Sequence, residues 1–252
     1  MQPTIHHFTA PDGVGLAWRE MGDPAGRPLV LIHGYFSNAE VNWIRYGHAQ
    51  LFADAGFRVI MPDLRAHGDS GKPHDPASYP PDILAEDGFA LIRHLGLTDY
   101  DLAGYSLGGR TAVRMMVKGA KPGRAVLSGM GLEGILDTEG RGGYFRNVLT
   151  HLGSFPRGTS EWMTEAFLKT TRGDPAALLL ILQTFVDTAR EELATIDLPV
   201  LVVTGADDDD NGSGEALAEA IPGGRFQSIP GNHMSAVTKP ELGRAIAGFL
   251  AR

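Results

Sequence analysis

Tyr100-Asp101-Leu102-Ala103-Gly104-Tyr105-Ser106-Leu107-Gly108-Gly109-Arg110-Thr111-Ala112 decides how the rest of the chain is read. A short apolar run enters Gly104-Tyr105-Ser106-Leu107-Gly108, and a helical pattern leaves it, from Leu107 to about Lys118. G-x-S-x-G thus stands between a strand and a helix, the context in which the pattern presents a serine hydroxyl at the carboxyl end of a sheet. A serine on so tight a turn is expected in a sparsely populated backbone conformation. Side chains two residues to either side would collide across the turn, so Gly104 and Gly108 leave room. The hydroxyl then lies above the positive end of the following helix. An ordinary glycine-rich strand–helix turn would look the same over five residues, so the surrounding chain has to decide.

At 252 residues the chain can bury a full core in one α/β domain. A net charge of −8 argues against nucleic acid or an anionic membrane as partner. The absence of cysteine excludes a disulfide framework, a thiolate nucleophile and any cysteine-held metal centre. The start, Met1-Gln2-Pro3-Thr4-Ile5-His6-His7-Phe8, has neither a basic opening nor an apolar run, and no stretch reaches the ~20 apolar residues of a membrane span. A cytoplasmic protein is the expectation.

Working outward from the Ser106 turn, Ile5–Thr9 and Gly15–Glu20 read as two strands joined at Pro11-Asp12-Gly13. Pro28–Ile32 is a continuous apolar run, as in a strand buried on both faces. A helix is expected over Ala39–Ala55, strands at Arg58–Met61 and Tyr100–Tyr105, and a helix over Asp82–Leu95 between them. Ala125–Leu127, Pro199–Thr204 and Arg225–Ile229 supply three more strands, and Glu241–Leu250 a closing helix. Strands alternating with helices imply a mostly parallel sheet covered on both faces. The alternation stops between Gly129 and about Asp197, where Tyr144–Leu152, Glu161–Thr170 and Ala176–Leu193 are amphipathic pieces. Such an insertion would lie over the carboxyl ends of the strands, where open α/β sheets bind ligands, and reads as a lid.

A serine hydroxyl needs a base to take its proton, and the base needs an acid to fix its tautomer. His233 follows the last strand in Ile229-Pro230-Gly231-Asn232-His233-Met234, a loop at the same end of the sheet; His6, His7, His48, His74, His94 and His151 have no such placing. The acid should leave the strand before, which ends at Thr204-Gly205-Ala206 and runs into Asp207-Asp208-Asp209-Asp210. Asp208 is the choice, with Asp207 and Asp209 behind it and Glu133 a distant substitute. Asp207-x-Asp209-x-Asn211-Gly212 also mimics the opening of a calcium loop, but its twelfth position is Ala218 rather than a glutamate, and a strand rather than a helix precedes it. Donors for an oxyanion would be the backbone N–H of Leu107 and that of Tyr35, in the His33-Gly34-Tyr35 loop, with Gly34 allowing close approach and His33 holding the loop. Phe36, Tyr105 and Met234, next to these groups, are the expected substrate contacts.

With these residues in place the chain resembles the α/β-hydrolase superfamily over nearly its whole length. The resemblance rests on His33-Gly34, the turn Asp63-Leu64-Arg65-Ala66-His67-Gly68-Asp69-Ser70, the Gly104–Gly108 elbow and the order Ser, Asp, His. The family's usual acid, three residues beyond a strand-closing glycine, falls on Asp208. One departure is Ala66, where the family's turn carries glycine. The resemblance implies an eight-stranded, mostly parallel sheet with helices on both faces and a helical lid inserted after the sixth strand: a core of residues 1–130 and 197–252 and a lid of 131–196. It implies no cofactor and no metal. Relatives with aspartate at the elbow, the haloalkane dehalogenases and epoxide hydrolases, are set aside by Ser106. The expectation is a serine hydrolase of small carboxylic esters, monomeric or homodimeric. A lactone or carbon–carbon bond hydrolase is the alternative, and a hydrolase-fold small-molecule receptor the more distant one.

Overall fold

The computed structural model describes residues 3–251; Met1 and Gln2, at the start of the N-terminal stretch in which no leader is expected, and Arg252 lie outside the described residues. Eight strands form one sheet: β1 (Thr4–Thr9), β2 (Gly15–Met21), β3 (Arg27–Ile32), β4 (Phe57–Pro62), β5 (Asp101–Tyr105), β6 (Ala125–Ser128), β7 (Val200–Gly205) and β8 (Arg225–Ile229). Their order is β1-β2-β4-β3-β5-β6-β7-β8, with β2 antiparallel to both neighbours and every later pairing parallel. The helices are α1 (His48–Asp54), α2 (Ile83–His94), α3 (Leu107–Val117), α4 (Leu132–Leu136), α5 (Thr138–Thr150), α6 (Ser160–Thr170), α7 (Pro175–Ile181), α8 (Arg190–Leu193), α9 (Gly214–Glu219), α10 (His233–Ala236) and α11 (Pro240–Leu250). Among the described residues no helix is long and apolar enough to cross a membrane.

The continuous apolar strands feed two cores by the period of two that strands impose. Val30 and Ile32 of β3, Leu102 of β5 and Val202 of β7 face α2 and α3 (Ala90, Leu91, Val113, Met115). Leu29, Leu31, Ala103, Tyr105, Leu201 and Val203 face α1 and α11, where Trp43, Phe52, Ile246 and Phe249 pack. Each large side chain buried in this way contributes roughly 1.5–3 kcal/mol. The five helices α4–α8 are all interposed between β6 and β7.

Two expected helical stretches are divided in the structure, and two short helices stand where none was expected. Ala39–Ala55 is not one helix: a π-helical turn at Glu40–Ile44 is separated from α1 by Gly47, whose φ of 82° no right-handed helix contains. Ala176–Leu193 is likewise divided into α7, a 3₁₀ turn at Leu182–Thr184 and α8. The chain leaves the helix there because other partners claim it: the Asp187 carboxylate accepts the Thr138 N–H, and the Thr188 N–H donates to the Ile135 carbonyl. His233 opens the short helix α10 rather than lying in a loop, and α9 links β7 to β8 where no helix was expected.

Ser106 has φ 54° and ψ −116°, the strained strand–helix turn that the motif predicts. A Cβ at Gly104 would lie 2.2 Å from the Gly108 backbone, as expected of the turn. Gly108 answers to a different neighbour: its Cβ would lie 2.1 Å from the Ile32 carbonyl oxygen, so it is β3, not the far side of the turn, that requires glycine there. Backbone on both sides leaves nothing to give way. Gly108→Ala is therefore expected to destabilise by about 3 kcal/mol or more, lowering Tm by at least about 6 °C in a thermal melt.

The turn after β4 braces the loop after β3. Asp63, buried, accepts the Ala39 and Asp69 N–H groups at 2.8 and 2.9 Å and pairs with Arg19 at 2.7 Å. Two turns of chain are thereby fixed to one carboxylate. Arg65, fully buried, is held by Asp87 in a fork of 2.9 and 2.8 Å. Ala66 adopts φ 67°, so the position where the family carries glycine keeps a left-handed backbone despite its methyl group.

Candidate active site

β5 ends at Tyr105, and α3 starts one residue beyond Ser106. The Ser106 N–H donates to the Ser128 carbonyl of β6 at 2.8 Å, which pins the turn to the neighbouring strand. The loops after β7 and β8 are bonded together: the Ala206 N–H reaches the Ile229 carbonyl at 2.7 Å, and the Asp207 N–H reaches that of Gly231 at 3.0 Å. This seam brings Asp208 and His233, 25 residues apart, to one place. His233 Nε2 stands 2.9 Å from Ser106 Oγ, and its Nδ1 lies 3.0 and 3.2 Å from the two Asp208 carboxylate oxygens. His233 and Asp208 are buried, whereas Ser106 keeps partial exposure. An ionised carboxylate only accepts, so Nδ1 carries the proton and leaves the Nε2 lone pair facing the serine hydroxyl. The arrangement can draw a proton off Oγ and steady the imidazolium that results.

The loop after β3 is built around His33. Its Nε2 accepts the Leu64 N–H at 2.9 Å, and its Nδ1–H donates to the Gly34 carbonyl at 2.8 Å. Complete burial depresses its pKa, in keeping with a neutral ring that donates on one side and accepts on the other. The Gly34 N–H donates to Asn42 Oδ1 at 3.0 Å. A Cβ on Gly34 would lie 3.3 Å from the Tyr105 carbonyl oxygen and 3.4 Å from Ser106 Cβ, so this backbone packs directly against the Ser106 turn. Neither the Tyr35 nor the Leu107 N–H meets an acceptor among the described residues. Both are free to hold a negative oxygen.

The interposed helices close over this loop. Tyr35 stacks on Phe36 with ring centroids 4.5 Å apart, Phe145 of α5 meets both rings edge-on, and the Tyr35 hydroxyl donates to the Leu178 carbonyl of α7 at 2.6 Å. Arg110 of α3, buried, lies 4.7 Å from the centre of the Phe185 ring and donates to the Gly134 carbonyl. Its burial brings the guanidinium pKa down to about 10. A groove of about 520 Å³ runs along β8 and α11, with none of the residues around Ser106 in its lining.

Of the expected substrate contacts only Met234 is open, at 52% exposure beside His233. Phe36 is buried under Tyr35 and Phe145, which fill the space a substrate would need to touch it. Tyr105 is a correction of another kind. It lies on the opposite face of the sheet from the oxyanion loop, and its hydroxyl donates to the His233 carbonyl at 2.6 Å. Its part is to hold the backbone of His233. Asp207, Asp209 and Asp210 are exposed, as most of an acidic run should be. Glu133 accepts the Ser213 N–H at 2.7 Å and so is engaged elsewhere. The calcium-like spacing is spent on other contacts as well: Asp208 turns to His233, and the Asn211 amide donates to the Gly129 carbonyl at 3.0 Å. Asn42 and Arg141, whose guanidinium pairs with Asp210, went unnoticed in the sequence, and Asn211 was read only as part of the calcium-like spacing. The π-helical turn that carries Asn42 follows no periodicity that would announce it.

A family model described as alpha/beta hydrolase fold matches residues 27–127. The chain has the α/β-hydrolase fold. The chain is 40% identical over 109 residues to the dihydrolipoyllysine-residue acetyltransferase component of the acetoin cleaving system of Pseudomonas putida; the match takes in 43% of this chain but only 27% of that protein's length. It is 29% identical over 255 residues to non-heme chloroperoxidase CPO-A1 of Kitasatospora aureofaciens, covering 89% of this chain and 90% of the relative. The crystal structure of the enol-lactonase from Burkholderia xenovorans LB400 matches with a TM-score of 0.77 and 22% identity, over 98% of this chain and all (100%) of the other. That likeness is one of fold. The names of these relatives span different chemistries, so any chemistry of this chain has to be argued from its own site.

Proposed function

We propose that the protein is a serine hydrolase of small carboxylic esters. The observation that carries the proposal is the continuous relay from Ser106 Oγ through His233 to Asp208, at 2.9 and 3.0 Å. Ser106 attacks the ester carbonyl while His233 Nε2 takes the hydroxyl proton. The Tyr35 and Leu107 amides receive the oxyanion. Each such donor typically contributes about 10²–10³ in rate. The tetrahedral adduct collapses as the imidazolium returns its proton to the leaving alcohol, and an acyl-serine remains. Water, deprotonated by the same nitrogen, then releases the acid. Asp208 keeps the Nδ1 proton in place throughout and never takes it.

Residues 131–196 act as the lid in this reading, with Phe145 and Leu178 seated on the oxyanion loop. The rings of Tyr35, Phe36 and Phe145 crowd that loop, which favours short acyl groups. No cofactor enters the scheme, and the partner is a small ester. Hydrolysis of p-nitrophenyl acetate, butyrate and octanoate, with a simple lactone alongside, tests it. kcat/KM should be highest for acetate or butyrate. A folded protein silent toward esters but active on the lactone would move the reading to lactone hydrolysis. Silence toward both would end it and favour a receptor.

A further inference from the structure

Arg141 and Asp210 belong to different parts of the fold, and their ion pair leads into the relay. Arg141 lies on α5, in the interposed segment, where its guanidinium packs 4.9 and 5.0 Å from the ring centres of Tyr144 and Phe145. From there it binds the Asp210 carboxylate, 69 residues on, in the loop that carries the relay's acid. The Asp210 backbone N–H donates to Asp208 Oδ1 at 3.2 Å, and the carboxylates of Asp208 and Asp210 each place an oxygen within 4.8 Å of a His233 ring nitrogen. A second negative charge therefore stands beside the base, and Arg141 offsets it.

Resting on the serine-hydrolase proposal, we infer that Arg141 is a positioning residue of the relay. It fixes residue 210, whose N–H orients the Asp208 carboxylate, and it neutralises the Asp210 charge that would otherwise bias His233 toward the protonated form. The groups facing His233 are Asp208 and Asp210 from the loop after β7, Arg141 behind Asp210 from α5, the Tyr105 phenol from β5 and the Ser106 hydroxyl. Of these groups Asp208, Asp210 and Arg141 bring charge, so the Arg141–Asp210 balance can be read on the imidazole itself.

The two members of the pair act on His233 with opposite sign, and a merely structural role would not do so. Arg141→Gln leaves Asp210 uncompensated and should move the midpoint of the His233 imidazole titration, followed by NMR, upward by about half a pH unit to one unit. Asp210→Asn leaves Arg141 uncompensated and should move it downward by a similar amount. Arg141→Lys keeps the charge and should leave the midpoint in place. All three displacements should shrink at high ionic strength, because the pair is only partly buried. On p-nitrophenyl acetate, Arg141→Gln should lower kcat about ten-fold with KM little changed, as for a group that aims another. The acid limb of its kcat/KM profile should move in step with the NMR midpoint. Midpoints that coincide in all variants, or that move the same way in Arg141→Gln and Asp210→Asn, overturn the inference. Should Arg141→Gln not fold, the downward shift in Asp210→Asn decides. The titration needs no substrate, so a wild type that turns over no ester overturns the serine-hydrolase reading while the midpoints still report on Arg141.

Discussion

Ser106→Ala is expected to lower kcat toward p-nitrophenyl acetate by about 10⁴–10⁶-fold, to the level left by binding and oxyanion stabilisation alone. Alanine removes the oxygen that stands 2.9 Å from His233 Nε2 and nothing else of the site. The donors at Tyr35 and Leu107 are backbone groups that the substitution leaves in place. The variant also keeps a Cβ at φ 54°, so the strain of the turn, about 1–3 kcal/mol, is unchanged and Tm should stay close to that of wild type. Loss of turnover with an intact melt is thus the signature of a lost nucleophile. Parallel assays of kcat and thermal unfolding check it, and turnover of the usual size in the alanine variant would remove Ser106 from the mechanism.

Asp208→Asn should cost about 10⁴-fold in kcat. The amide has nearly the shape of the carboxylate, so the loop can keep its seam of hydrogen bonds to the loop after β8. Its chemistry is wrong on two counts. It carries no charge to steady the imidazolium, and by offering an N–H toward Nδ1 it favours the tautomer that puts the proton on Nε2, facing Ser106. Asp210→Asn, by contrast, alters a partly exposed carboxylate that bonds to neither Ser106 nor His233, and its kcat should fall by less than about ten-fold. Measuring both variants side by side locates the acid: equal, mild losses would send the role to another carboxylate.

The sequence made the centre of this site legible because local geometry and chemistry coincide there. A glycine-flanked serine between strand and helix admits one conformation, and a histidine and an aspartate just past the last two strands of a parallel sheet are carried to the same edge. Asp208 could be picked out of four adjacent aspartates because the family resemblance implies an acid three residues beyond Gly205, and it is the one of the four that is buried. What escaped notice depends on distant partners. Arg141 finds Asp210 across 69 residues, Asn42 serves Gly34 from within a π-helical turn, and Asn211, read as part of a calcium-like spacing, instead finds Gly129 across 82 residues. Tyr105 was misread for the same reason, since the side of the sheet it faces is set by strand register. One signal was present and unused: Asn232 followed by Ser235 forms a capping box that starts α10 at His233, so the base is held by a helix end.

The bond from the Tyr105 hydroxyl to the His233 carbonyl couples two neighbours in chemistry that are far apart in topology. Tyr105 precedes the serine on a central strand, whereas His233 follows the edge strand, with β6 and β7 between them. Twisting or breathing of the sheet would ordinarily spread such strands apart. Here the strand that carries Ser106 also holds the backbone of His233. In the serine-hydrolase reading, that bond is a direct tether between nucleophile and base that does not run through β6 and β7.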